Sequence, residues 1–149
     1  MSISFTKLHG NGNDFALIDE MAGVVIPDDM KAGFAVAYCD RRFGIGADGI
    51  LFIGPSSVAD VKMTLFQPDG SEAEMCGNAA RCVAKYVYEK GLTNKNEITL
   101  NTASGIKVLK LIIEDKRVIA VTVDMGIPVI GEKVILTDKN GENQVTGFS

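Results

Sequence analysis

Gly77-Asn78-Ala79-Ala80-Arg81-Cys82-Val83-Ala84-Lys85-Tyr86-Val87-Tyr88-Glu89-Lys90 is the segment on which the fold turns. Its alanines, valines, tyrosines and Cys82 cover most of a helical circumference, and Arg81, Lys85 and Glu89, four apart, form one narrow charged stripe. A helix apolar nearly all round is a buried one. Gly91 follows as the residue that closes such a helix with a positive φ. With short β-rich runs on either side, this helix is expected to lie inside a sheet.

Upstream, Ile3 to Phe5 and Phe15 to Ile18 read as strands flanking the turn Gly10-Asn11-Gly12-Asn13-Asp14. Pro27-Asp28-Asp29 opens a second helix, with Met30, Phe34, Ala35, Ala37 and Tyr38 as its apolar positions. Ile50 to Ile53 is a short apolar strand. Lys62 to Phe66 alternates like a half-buried one and stops at the turn Pro68-Asp69-Gly70. Downstream, Glu97 to Asn101, Ile106 to Ile113 and Val118 to Val123 are strands, joined by turns at Ser104-Gly105 and Asp115-Lys116, with a weaker strand signal at Val134 to Leu136. The fold class is therefore α+β, a mixed sheet wrapped around a central apolar helix.

The chain has 149 residues, 46% hydrophobic and 23% charged, a composition that folds rather than stays disordered. A net charge of −4 without a basic cluster argues against nucleic acid or an anionic membrane as partner. The amino terminus has no signal-like apolar core and no apolar run reaches about 20 residues, so the expected address is the cytoplasm and the expected ligand a small molecule. Cys39, Cys76 and Cys82 are too few for a disulfide scaffold. Without a CxxC pair or a nearby histidine they make no zinc site either.

Gly44-Ile45-Gly46-Ala47-Asp48-Gly49 matches the G-x-G-x-x-G spacing of dinucleotide binding. That mechanism needs a helix after the glycines, so that the pyrophosphate meets a helix start. A strand follows here, so the glycines are read as serving a tight connection. No nucleotide is expected there.

Cys76 stands immediately before the central helix. The first N–H groups of a helix have no internal partner and the macrodipole places about half a positive charge there. Both favour negative charge beside them, whether a thiolate or a ligand carboxylate. Gly77 allows close approach to the backbone, and Asn78 offers an N–H and a side-chain amide. A base next to a carboxylate cradle suits removal of the proton α to that carboxylate. His9 and Asp14 read as structural groups of the glycine turn, and Asp69 and Glu72 as turn and helix-entry residues.

Four blocks carry a resemblance: Lys7-Leu8-His9-Gly10-Asn11-Gly12-Asn13-Asp14-Phe15, Asp40 to Gly49, Asp69 to Cys82, and Val123-Asp124-Met125-Gly126-Ile127-Pro128. In that order and together they resemble diaminopimelate epimerase. The resemblance implies a cofactor-independent isomerase of lysine biosynthesis that interconverts L,L- and meso-diaminopimelate with two cysteines, one the base and one the acid. It makes Cys76 the first of them, puts the carboxylate on the N–H groups of Gly77 and Asn78, and adds Asn13 and Gln67 as substrate contacts. No metal is implied.

Gln67 stands where the family has asparagine, and Gly49 where some members have glutamine. Strict diaminopimelate specificity is therefore open. The resemblance also leaves the family's second cysteine and its Glu-Arg pair unmatched. Cys82 lies about 9 Å further along the same helix and inside it, and Cys39 lacks glycine neighbours. Residues 1–118 are accordingly expected to form an amino-terminal half-domain and residues 119–149 to open a second, the remainder being absent. The partner expected is that missing carboxy-terminal half, with a homodimer also possible. A proline- or hydroxyproline-type racemase of the same fold, or a catalytically silent binding domain, are the other readings.

Overall fold

A computed structural model of the chain describes residues 2–127, 134–138 and 141–145. Twelve elements run in order: β1 (Thr6–Gly10), β2 (Asn13–Asp19), α1 (Asp28–Tyr38), β3 (Gly49–Gly54), β4 (Val61–Phe66), β5 (Glu72–Ala73), α2 (Gly77–Glu89), β6 (Glu97–Thr102), β7 (Gly105–Glu114), β8 (Arg117–Val123), β9 (Val134–Asp138) and β10 (Gly141–Val145). One mixed sheet has the order β1-β2-β3-β4-β6-β7-β8, with β5 beside β4; β9 and β10 form a separate antiparallel pair. The pairs β2–β3 and β4–β6 are parallel and the other neighbours antiparallel. Each parallel pair needs a crossover, and α1 and α2 supply them.

The β1–β2 connection is the two-residue turn Asn11-Gly12, with φ of 55° and 87°. Positive φ at both positions is the type I′ geometry that matches strand twist, and it fixes the ladder from Gly10↔Asn13 out to Thr6↔Leu17. The ladder ends there. Residues 3–5, expected as strand, are not one; Ile3 instead packs against the cluster under α1.

Strands β2 and β3 are buried on both faces, which explains their unbroken apolar runs Phe15-Ala16-Leu17-Ile18 and Ile50-Leu51-Phe52-Ile53. On one face Phe15, Leu17, Leu51 and Ile53 meet Ala79, Ala80, Val83 and Val87 of α2, together with Ile98, Leu100 and Leu109. On the other, Ala16, Ile18, Ile50 and Phe52 meet Ala35 and Cys39 at α1. Both outermost strands of the sheet, β1 and β8, pack against α2, so the sheet curls about that helix. Leu92 N–H returns to Val87 O and Gly91 N–H to Tyr88 O, with Gly91 at φ 73°, a Schellman ending.

The charged stripe of α2 has a definite task. Lys85 Nζ donates to Val118 O at 2.9 Å and Glu89 Oε1 accepts the Val118 N–H at 3.0 Å, while the two side chains pair at 2.7 Å. The helix thereby clasps the start of edge strand β8. Beside the clasp, between β1 and β8, runs a groove of about 410 Å³ lined by Lys7 to Asn11, Arg81, Cys82, Lys85 and Val118 to Val121.

Helix α1 departs from expectation. Met30 is 60% exposed, and the residue that turns inward is Lys31, at 6%. Its stem crosses the Phe52 ring, with Nζ 4.7 Å from the centroid, and the ammonium meets Glu20 at 2.7 Å and Asp28 at 2.6 Å. Glu20 is buried too, and its other oxygen accepts the N–H groups of Val25 and Ile26. The segment from β2 into α1 is thus tied to one ion pair.

Candidate active site

Cys76 is the N-cap of α2 and is half-buried. No side chain caps this helix, and its first internal bond runs from Ala80 N–H to Cys76 O at 2.9 Å. The N–H groups of Gly77 and Asn78 come before that bond and have no partner within the helix. A Cβ added at Gly77 would stand 3.4 Å from Met125 Sδ, so the chain leaving β8 passes over the helix start.

Asn13 comes to the same place from the end of the β1–β2 hairpin. Its Oδ1 accepts from Asn78 Nδ2 at 3.2 Å and lies 3.7 Å from the Cys76 thiol, its donor. The Arg81 guanidinium donates to Asn78 Oδ1. The Asn78 side-chain amide, expected to be available to a ligand, is therefore committed within the protein, and its backbone N–H is what remains. Gly10 is needed here, because a Cβ would lie 3.2 Å from that of Asn78. Four of the five candidate residues, Asn13, Cys76, Gly77 and Asn78, thus meet at one helix start.

Gln67 follows the last paired residue of β4, is exposed, and donates through Nε2 to Ser71 Oγ at 3.1 Å. Asp69 accepts from the Ser71 N–H and hydroxyl, as a turn residue should. Gly49 is buried in β3, where a Cβ would stand 2.7 Å from Leu65 Cδ1. The G-x-G-x-x-G stretch behaves as read. Gly44, Ile45, Gly46 and Ala47 give their N–H groups to the carbonyls of Asp40, Tyr38 and Cys39, and a strand follows. None of those amides is left for a phosphate.

Asp14 was expected to bond its own turn, and it does not. Its carboxylate takes Arg41 Nη2 at 2.7 Å, Lys7 Nζ at 2.8 Å and the Asp48 N–H at 3.1 Å. Arg41 also reaches Asp48 at 2.8 Å, and Asp48 Oδ2 accepts from Asn13 Nδ2 and the Asp14 N–H, each at 3.0 Å. Arg41, with Lys7 assisting, holds the Asp14 carboxyl well below the usual range; the hydrogen bonds from Asn13 and the Asp14 N–H lower that of Asp48. Sequence reasoning missed Arg41 and Asp48 as site supports. The available signal was a charged residue at either end of the glycine-rich loop.

Lowered carboxylate pKa values stabilise the fold above the unfolded value of about 3.9, and that stability is lost as pH falls through the depressed folded values. Thermal melts from pH 7 to 2 are expected to fall steeply below about pH 4, and Asp14→Asn to flatten the fall. An unchanged slope in that variant would remove Asp14 from the account.

The other thiols are protected. Cys39 and Cys82 are 3% and 5% exposed, and burial pushes both thiols up, Cys82 to about 11. Iodoacetamide at neutral pH, followed by peptide mass mapping, is therefore expected to label Cys76 first. Labelling of Cys39 or Cys82 ahead of it would refute the assignment.

The fold recurs in solved structures of an epimerase and a probable racemase. A hydroxyproline epimerase from Agrobacterium vitis superposes with a TM-score of 0.70 at 21% identity, over 94% of this chain and 46% of that one. A probable proline racemase from Agrobacterium radiobacter gives 0.69 at 20% identity, over 97% and 48%. At such identities these likenesses establish the fold alone. The diaminopimelate epimerase model matches residues 5–131, and the chain belongs to that family. Among curated relatives, the diaminopimelate epimerase of Parabacteroides distasonis is 50% identical over 95% of this chain and 51% of its own length. That of Pelotomaculum thermopropionicum is 54% identical over 83% and 44%. The chain spans about half the length of the curated relatives it matches. Among the described residues, no helix is long and apolar enough to cross a membrane.

Proposed function

We propose that this chain supplies one half of a cytoplasmic, cofactor-independent epimerase that converts L,L-diaminopimelate to its meso form. The observation that carries the reading is the half-buried thiol of Cys76 at an uncapped helix start, beside Asn13 from 63 residues away. In this reading the N–H groups of Gly77 and Asn78 hold the α-carboxylate while the Cys76 thiolate takes the α-proton. Fixed donors stabilise the carbanion by several kcal/mol each. Asn13 touches the substrate beside the thiol, and Gln67 turns from Ser71 to the distal amino-acid end. A cysteine from the carboxy-terminal half returns a proton to the opposite face. Residues 1–118 then form the first half-domain and residues 119–149 open the second, with β8 carrying the ladder beside β7 on to Val123.

Exposed Ile106, Val108, Ile112 and Ile119 on β7 and β8 also offer a face for the second half or for another copy of the chain. The family match and the curated relatives favour diaminopimelate over a proline-type substrate. The test is deuterium incorporation at Cα and stereochemical inversion. It compares the 149-residue chain alone with a chimera joining it to the carboxy-terminal half of the Parabacteroides distasonis relative. The chain alone is expected to be inactive and the chimera active on diaminopimelate. Full epimerisation by the chain alone overturns the half-enzyme reading, and proline turnover by the chimera overturns the substrate.

A further inference from the structure

We propose that Asp48 is a positioning residue that fixes which face of the Asn13 amide meets the Cys76 thiol. An asparagine amide has a donor end and an acceptor end of nearly the same shape, so only its partners decide which way it points. Here a carboxylate on one side and the Asn78 amide on the other decide alike, and the carboxylate is the charged partner. Asp48 Oδ2 accepts from Asn13 Nδ2 at 3.0 Å, and an ionised carboxylate can only accept. The Asn13 Oδ1 is thereby turned toward Cys76 and Asn78.

Asp48 is in turn immobilised. The same Oδ2 takes the Asp14 N–H, its Oδ1 takes Arg41, and its own N–H goes to Asp14 O at 2.9 Å. The hydrogen bonds to Asn13 and to the Asp14 N–H keep it ionised. From Arg41 the order runs through Asp48, Asn13 and Asn78 to Arg81, each link joining a donor to an acceptor. Reversing the Asn13 amide would set its NH₂ against the Asn78 NH₂ and its carbonyl against the Asp48 carboxylate.

The inference deepens the reading of Cys76 and Asn13 given above, and its test reads the thiol and the amide rather than turnover. Failure here is therefore distinguishable from failure of that reading. In Asp48→Ala only Asn78 still orients the Asn13 amide, and the reversed amide, which shows the sulfur an N–H, becomes populated. Cys76 alkylation at fixed pH is expected to quicken about three- to tenfold, the equivalent of one hydrogen bond. In an Asn13→Ala background the same change should have no effect, because Asp48 acts only through Asn13. The side-chain amide signals of Asn13, followed by ¹⁵N–¹H NMR, should lose the downfield proton held by the carboxylate. Should Asp48→Ala fail to fold, Asp48→Asn reads the same shift through its weaker, uncharged acceptor. Alkylation that slows or stays the same, equal effects in both backgrounds, or an unmoved Asn13 signal would each overturn the proposal.

Discussion

Cys76→Ala is expected to cut α-proton exchange in the two-half protein by about 10²–10⁴-fold, the usual contribution of a positioned acid or base. No other thiol of this chain can replace it. Cys82 faces the packed interior of the sheet, and Cys39 ends α1 within the cluster on the opposite face of β2 and β3. Nor does a nearby side-chain oxygen or nitrogen take over, since Asn13 and Asn78, the partners beside the thiol, carry only neutral amides. The loss should fall on turnover more than on substrate binding, because the carboxylate cradle proposed at Gly77 and Asn78 is backbone and survives the substitution. The measurement is Cα deuterium incorporation in D₂O, with melting temperature as the control for folding. A variant that keeps more than about a tenth of the exchange would take the base out of Cys76 altogether.

Lys31→Met is expected to be the most damaging single change to stability, at about 3–5 kcal/mol. It leaves the Glu20 carboxylate buried and facing only the N–H groups of Val25 and Ile26. For a chain of this length that corresponds to roughly 6–20 °C in melting temperature. Asp28→Ala is the contrast. Its side chain is 86% exposed and binds the same ammonium, yet its loss leaves Lys31 paired with Glu20 and should change little. Equal shifts from the two variants would show that burial of the Glu20 pair is not what matters.

The parts of the fold that were legible in the sequence are those that local chemistry specifies. The composition of Gly77 to Lys90 marks a buried helix, and Gly91 marks its end. Asn11-Gly12 marks a hairpin turn, and the run Ile50 to Ile53 marks a strand that disqualifies the glycine pattern before it. Cys76 and its glycine neighbour were legible for the same reason, since a helix start is a local event. What escaped was chosen by distance. Nothing local to Lys31 says that Glu20 waits beneath it, so the apolar Met30 looked like the inward position. Nothing local to Asp14 says that its partners are Arg41 and Asp48, 27 and 34 residues on. Residues 3–5 have strand propensity and no strand to pair with, and propensity without a ladder is not structure.

The clasp of α2 on Val118 has a consequence for how the molecule opens. Strands β2, β3, β4, β6 and β7 have a ladder on both sides, whereas β8, like β1 at the other edge, is bonded along only one, to β7. Strand β8 can therefore peel from β7 if the clasp is released, uncovering Cys82 and the flank of α2 without unzipping the other ladders. In hydrogen exchange its amides form a cooperative block that opens below the global barrier. Lys85 and Glu89 set how often it does so.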